Sequence, residues 1–168
     1  LLFINALNMF DGINLQSFSY VFFIFIYFLI NEIFVTFSLM LLLPLIIFGY
    51  LNYKNSSFFG DSGCYLISVI IGCLFITSYN LNKIQSADTI FLLMILPGID
   101  MLRLFTFRII NKKNPFKPDR NHIHHKLLYW LGYNKTISVI IFFNFFILAG
   151  ISSKISNLII LICILFTY

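Results

Sequence analysis

Three short polar groups stand out in a chain otherwise built of apolar runs, and each carries residue types that handle phosphate, metal or protons. The densest is 115–125, Pro-Phe-Lys-Pro-Asp-Arg-Asn-His-Ile-His-His, which holds all three histidines of the protein, His122, His124 and His125, beside Lys117 and Arg120. Lys and Arg neutralise phosphate oxygens, and His changes charge near neutral pH. Three histidines in four residues also raise zinc. One helix cannot easily turn all three onto one ion, and helical His pairs need i, i+4 spacing with another ligand elsewhere. Phosphate contact or proton handling is the better expectation.

The second group is 5–14, Asn-Ala-Leu-Asn-Met-Phe-Asp-Gly-Ile-Asn. Asn5 and Asn8 share a helical face, and Asp11-Gly12 follows where that helix should end. Asp-Gly is also an ordinary turn, but paired Asn side chains in an apolar helix are costly unless bonded. The third group, Phe59-Gly-Asp-Ser-Gly63, opens an apolar run. Asp61 and Ser62 suit a helix N-cap. The same carboxylate could instead hold a hard cation such as Mg²⁺, which takes oxygen ligands and keeps positions open for phosphates. Farther on, Asp100 and Arg103 lie three apart, at ion-pair spacing on one helix.

The elements that must position these residues are membrane helices. The chain is 60% hydrophobic, 19% aromatic and only 10% charged, with a mean hydropathy of +0.95. Continuous rather than alternating apolar runs point to helices and against a barrel. The reading is an all-α polytopic transmembrane bundle: a helix end at 1–10, then about six spans at 15–30, 33–53, 63–79, 89–110, 136–151 and 155–168. Pro44 should kink the second of these spans, and Pro97-Gly98 should break the fourth. Residues 89–99 give only ~17 Å of helix, so the part through Arg108 should line a polar cleft or leave the membrane. The three cysteines lie in apolar runs with no close pair and carry no metal or disulfide pattern.

Arg108, Lys112, Lys113, Lys117, Arg120 and Lys126 crowd one loop, six of the eleven basic residues, which makes that loop cytoplasmic. Alternating the spans then brings all three polar groups to the same side, an argument for one active site. In the loop region 111–132, a helix over 120–131 would carry an apolar stripe of Ile123, Leu127, Trp130 and Leu131 in the membrane interface, with Trp130 as anchor. His122 and His125 would point away from the stripe, and His124 would sit at its flank.

Taken together, the stretches 5–12, 60–63, 97–108 and 115–125 resemble the polyprenyl-phosphate N-acetylhexosamine-1-phosphate transferases, in that family's order and over most of the chain. The resemblance implies a single membrane domain over 1–168, the C-terminal portion of a longer transferase in a bacterial inner membrane. It also implies transfer of a sugar-1-phosphate from a UDP-N-acetylhexosamine to polyprenyl phosphate, with release of UMP. Mg²⁺ would be required, with Mn²⁺ as a substitute. By position, Asp61 resembles the family's metal ligand and Asp11 its acid beside nucleotide and metal. His122, His124, His125 and Arg120 resemble the catalytic, phosphate-binding loop. Asn5, Asn8, Lys117 and Arg108 complete the expected substrate contacts. Partners would be the UDP-sugar, polyprenyl phosphate and the bilayer, with homodimerisation left open and no nucleic acid.

Two departures from the family pattern matter. Members usually read Asp-Gly-Ile-Asp-Gly, whereas Asn14 and Leu15 stand at the last two positions here. An adjacent Asp-Asp pair of the family has no counterpart in the chain and is expected upstream of Leu1, so the piece alone should be inactive. The neighbouring alternative is a phospho-MurNAc-pentapeptide transferase. A transporter or ion-conducting subunit would suit buried Asp100 and Arg103 but has no use for the histidine stretch.

Overall fold

A computed structural model describes residues 2–112, 114, 122–153 and 155–167, and its regular structure there is entirely helical. The chain runs α1 (Leu2–Phe10), α2 (Gln16–Ile30), α3 (Val35–Tyr53), α4 (Gly60–Asn80), α5 (Ala87–Leu93), α6 (Ile95–Ile110), α7 (Ile123–Leu131), α8 (Tyr133–Ser152) and α9 (Asn157–Thr167). Helices follow from the solvent, because a backbone in hydrocarbon has no water to bond and must close its own hydrogen bonds.

Among the described residues α3, α4 and α8, of 19, 21 and 20 residues, are long and apolar enough to cross a membrane, about 30 Å each at 1.5 Å per residue. Helices α5 and α6 qualify as one further crossing, bent by 73°. The sequence suggested about six crossings. Length and composition support three among the described residues, or four with the bent pair; α2, at 15 residues, falls short of the ~20 that a straight span needs, and six are not confirmed. The all-helical membrane architecture stands.

The bend has a local cause. Pro97 carries no N–H, so the carbonyl four residues earlier, that of Leu93, loses its helical donor. The helix accordingly breaks at Met94, one turn ahead of the expected Pro97-Gly98 site. The Tyr20 hydroxyl of α2 donates to the stranded Leu93 carbonyl at 2.9 Å, satisfying an acceptor that would otherwise be buried bare. Pro44 lies inside α3, which runs as one helix from Val35 to Tyr53.

Helix α1 packs against both α4 and α6, while α2 packs against α3 and α8. Tyr20, Phe25 and Phe28 of α2 and Phe75 of α4 are buried at the centre, with the Phe28 and Phe75 rings 5.5 Å apart. The outer faces are apolar too: Leu43 and Ile47 of α3, Ile76 of α4 and Phe142 of α8 are exposed. Such a surface is unfavourable in water and natural against acyl chains.

The turn from α1 into α2 settles one family departure. Leu15 sits at φ 66°, in left-handed backbone, which a side chain disfavours by roughly 1–2 kcal/mol and glycine tolerates. Position 15 is therefore one whose backbone favours Gly. The turn is held from α3: the Leu15 N–H donates to Asn52 Oδ1 at 2.6 Å, and Asn14 Nδ2 donates to Asn55 Oδ1. Asn14 thus has a partner within the fold. Leu15→Gly should melt higher than Leu15→Ala, by about 1 kcal/mol, reversing the usual order of the two residues. Detergent thermal denaturation checks this, and an Ala variant as stable as the Gly variant contradicts the left-handed turn.

Candidate active site

The C-terminus of α1 brings the first group to one end of the bundle. Asn8 is half-buried and its Nδ2 donates to Tyr65 Oη of α4 at 3.5 Å, a long bond, whereas Asn5 is exposed. Asp11 follows the last helical residue and is half-buried. Burial pushes its carboxyl above the usual carboxylate range, the side chains of Ser17 and Cys64 hold it down, and the charge of Asp61 pushes it up again. Two acids therefore feel one another across the α1–α4 contact.

Asp61 occupies the first turn of α4, exposed, beside Gly60 at φ 60°. The N-cap position is Phe59, and no side chain caps the helix. Capping, the plainest explanation of Asp61 from sequence, thus finds no support. What remains is an exposed carboxylate next to a second one and close to the positive end of a helix dipole. All-oxygen donors of this kind suit a hard divalent cation. Asp61 and Asp11 are the residues that would hold one.

The histidine group is built around Asp100 of α6, only 2% exposed. Its Oδ1 accepts from Arg103 Nη2 at 2.8 Å and from the Ile123 N–H at 3.2 Å. Its Oδ2 lies 2.8 Å from His122 Nδ1. A carboxylate only accepts hydrogen bonds, so His122 Nδ1 carries a proton. Asp100, His122 and His124 could bring three ligand atoms within 4.8 Å of one another. A metal there would have to displace the Arg103 guanidinium and share a carboxylate that already receives three donors. The arrangement is an ion-pair network.

His124 corrects its expected place. It is 1% exposed, buried in the protein rather than beside a stripe in the membrane interface, with Nδ1 3.3 Å from Gln16 Nε2 of α2. Its ring lies directly on Gly12: a Cβ there would fall 1.9 Å from Nε2. Burial, then the charges of His125 and His122, depress its pKa to about 4, so it is neutral at pH 7. The rings of His122 and His124 stack at 5.2 Å and 17°, and His125, half-buried, lies 4.4 Å from His124.

The expected apolar stripe also divides. Ile123 and Leu127 turn inward and line a cavity of about 110 Å³ with Phe10, Gln16, Leu96 and Ile140, while Trp130 is 79% exposed. His122 is buried rather than turned out to solvent. Helix α7 begins at Ile123, after His122 in non-helical backbone, and Asp100 accepts its first N–H. Arg108, in the last turn of α6, is buried. Lys117 and Arg120 lie outside the described residues.

All three sequence groups therefore meet: Asp11 with Asp61 by charge, Gly12 with His124 by contact, and His122 with Asp100 by a hydrogen bond. Gln16 and the second partner of Asp100 escaped the sequence reading. The Asp100–Arg103 spacing was visible, but nothing local marks a partner 22 residues on, and Gln16 had no signal at all.

This is an α-helical membrane protein with acids and histidines clustered at one end of its bundle. The chain is a homologue of the undecaprenyl-phosphate alpha-N-acetylglucosaminyl 1-phosphate transferases. It is 30% identical to the Thermotoga maritima protein of that name over 98% of this chain and 55% of that relative. Proteins of the same name from Haemophilus influenzae and Escherichia coli K12 are 33% and 32% identical over 45% and 48% of the chain, covering 21% and 22% of their own lengths. The chain spans about half the length of the Thermotoga maritima relative. No family model and no solved structure matches it.

The Gly12 contact gives a test. Gly12→Ala places no strain on the backbone, since its φ is not positive, so any loss must come from His124. The variant should lower thermal stability by about 1–3 kcal/mol, as overpacking does, and adding His124→Ala should recover part of that loss. Equal melting of Gly12→Ala and wild type would contradict the contact.

Proposed function

We propose that the chain forms the C-terminal part of an enzyme that transfers N-acetylglucosamine-1-phosphate from a UDP-sugar to undecaprenyl or another polyprenyl phosphate. The observation that carries this reading is the meeting of Asp11 and Asp61 with the histidine group at one bundle end, in a homologue of transferases so named. In the reaction a lipid-phosphate oxygen attacks the β-phosphorus of the UDP-sugar. A new P–O bond forms, the bond from the β-phosphorus to the bridging oxygen breaks, and UMP leaves with that oxygen. The transition state spreads negative charge over phosphoryl oxygens, so alignment and charge neutralisation do most of the work.

Mg²⁺, held by Asp61 with Asp11 beside it, would neutralise the diphosphate and orient it. His122 and His125 would contact the phosphates or manage protons around them, and His124, buried and neutral, would hold the loop. Lys117, Arg120 and Arg108 would add positive charge that draws in a nucleotide diphosphate. The run of basic residues supports a cytoplasmic position for this site, in a bacterial inner membrane. A phospho-MurNAc-pentapeptide donor would use the same phosphate chemistry, and the sugar distinguishes the two readings.

In the full-length protein, Asp61→Asn should cut transfer by at least ~10²-fold, the scale of losing a transition-state charge contact, and weaken the dependence on Mg²⁺, while the protein still purifies folded. Sugar-phosphate transfer measured against Mg²⁺ concentration decides it. Near wild-type turnover at low Mg²⁺ would remove Asp61 from the site.

A further inference from the structure

We propose that Asp100 is a positioning residue: it fixes the tautomer and direction of His122 and seats the start of the histidine helix. The proposal rests on the functional reading of His122 above. Two independent contacts converge on this carboxylate. Oδ2 meets His122 Nδ1 at 2.8 Å, which keeps the proton on Nδ1 and leaves Nε2 as the nitrogen able to accept or release one. Oδ1 takes the Ile123 N–H at 3.2 Å, one of the backbone donors that a helix leaves unsatisfied at its N-terminus. The N-cap residue of α7 is His122 itself, whose side chain makes no capping bond. The carboxylate of another helix therefore does the capping, and it frees the cap residue's imidazole for other work.

Arg103 completes the arrangement from one turn away, its Nη2 2.8 Å from Oδ1. It balances the charge of a carboxylate that could not otherwise stay ionised when so deeply buried. A residue that orients an imidazole through Nδ1 contributes to catalysis without touching substrate. Replacing such a carboxylate by an amide allows the opposite tautomer, with a large loss in turnover and the geometry kept. The bonds of Asp100 run to Arg103, to the His122 ring and to the Ile123 N–H, so its influence on the reaction passes through His122 and the helix start beside it.

The test is a double-mutant cycle in the full-length protein, reading kcat and KM for sugar-phosphate transfer. Asp100→Asn and His122→Ala should each lower kcat by ~10²-fold or more, with KM changed far less. The double variant should lose far less than the product of the two single losses, because residues acting as a unit are not additive. Losses that multiply would overturn the proposal, since Asp100 would then act apart from His122. Wild-type kcat in Asp100→Asn would overturn it as well. A His122→Ala enzyme with wild-type turnover would remove the functional reading of His122 and this proposal together, a result distinct from the other two. Should Asp100→Asn fail to fold because Arg103 is left without its carboxylate, Asp100→Asn with Arg103→Gln removes that charge. This pair should fold and remain slow, and full activity in it would overturn the proposal.

Discussion

The buried carboxylate of Asp100 is the constraint on which the site's arrangement depends. An ion removed from water costs several kcal/mol unless its lone pairs are met, and at 2% exposure Asp100 cannot rely on solvent. Its partners come from three places: Arg103 on its own helix, the His122 ring before α7, and the first N–H of α7. Satisfying one carboxylate thus docks the start of α7 onto α6. The bend at Met94, forced by Pro97, sets the direction of the α6 segment that carries Asp100.

A second constraint is steric. His124 is pressed against Gly12, and no larger residue leaves room for that ring. The Asp-Gly pair therefore has two separate jobs. Asp11 presents charge beside Asp61, and Gly12 admits the imidazole that locks the histidine loop to the end of α1. Gln16 grips the same ring from α2. The start of α7 meets the ends of α1 and α2, more than a hundred residues earlier, through a small residue and polar groups as well as through Ile123 and Leu127.

Apolar run length and proline chemistry made the helices legible in the sequence, including the broken one, to within about a turn. Span count was less legible: α2 ends at Ile30 after 15 residues, where Asn31 and Glu32 interrupt the run, and run composition alone does not weigh that shortfall. The three polar groups were legible as site material because ionisable residues near lipid are costly. Their pairing was not. Periodicity put His124 at the edge of a stripe, whereas its real environment comes from Gly12 and Gln16, more than a hundred residues earlier. Asp61 looked like a cap by its place in Gly-Asp-Ser-Gly, and only the backbone at Phe59 shows that it caps nothing.

The central claim is that Asp100 holds a proton on His122 Nδ1, and nitrogen NMR of histidine-labelled protein reads it directly. Correlating ring nitrogens with ring carbon-bound protons, and assigning His122 by its loss in His122→Ala, distinguishes the two tautomers. The account predicts that Nδ1 of His122 is protonated throughout the folded state, whether or not Nε2 also is, and that Asp100→Asn changes this signal most among the three histidines. A neutral His122 protonated on Nε2 with Nδ1 bare would contradict it.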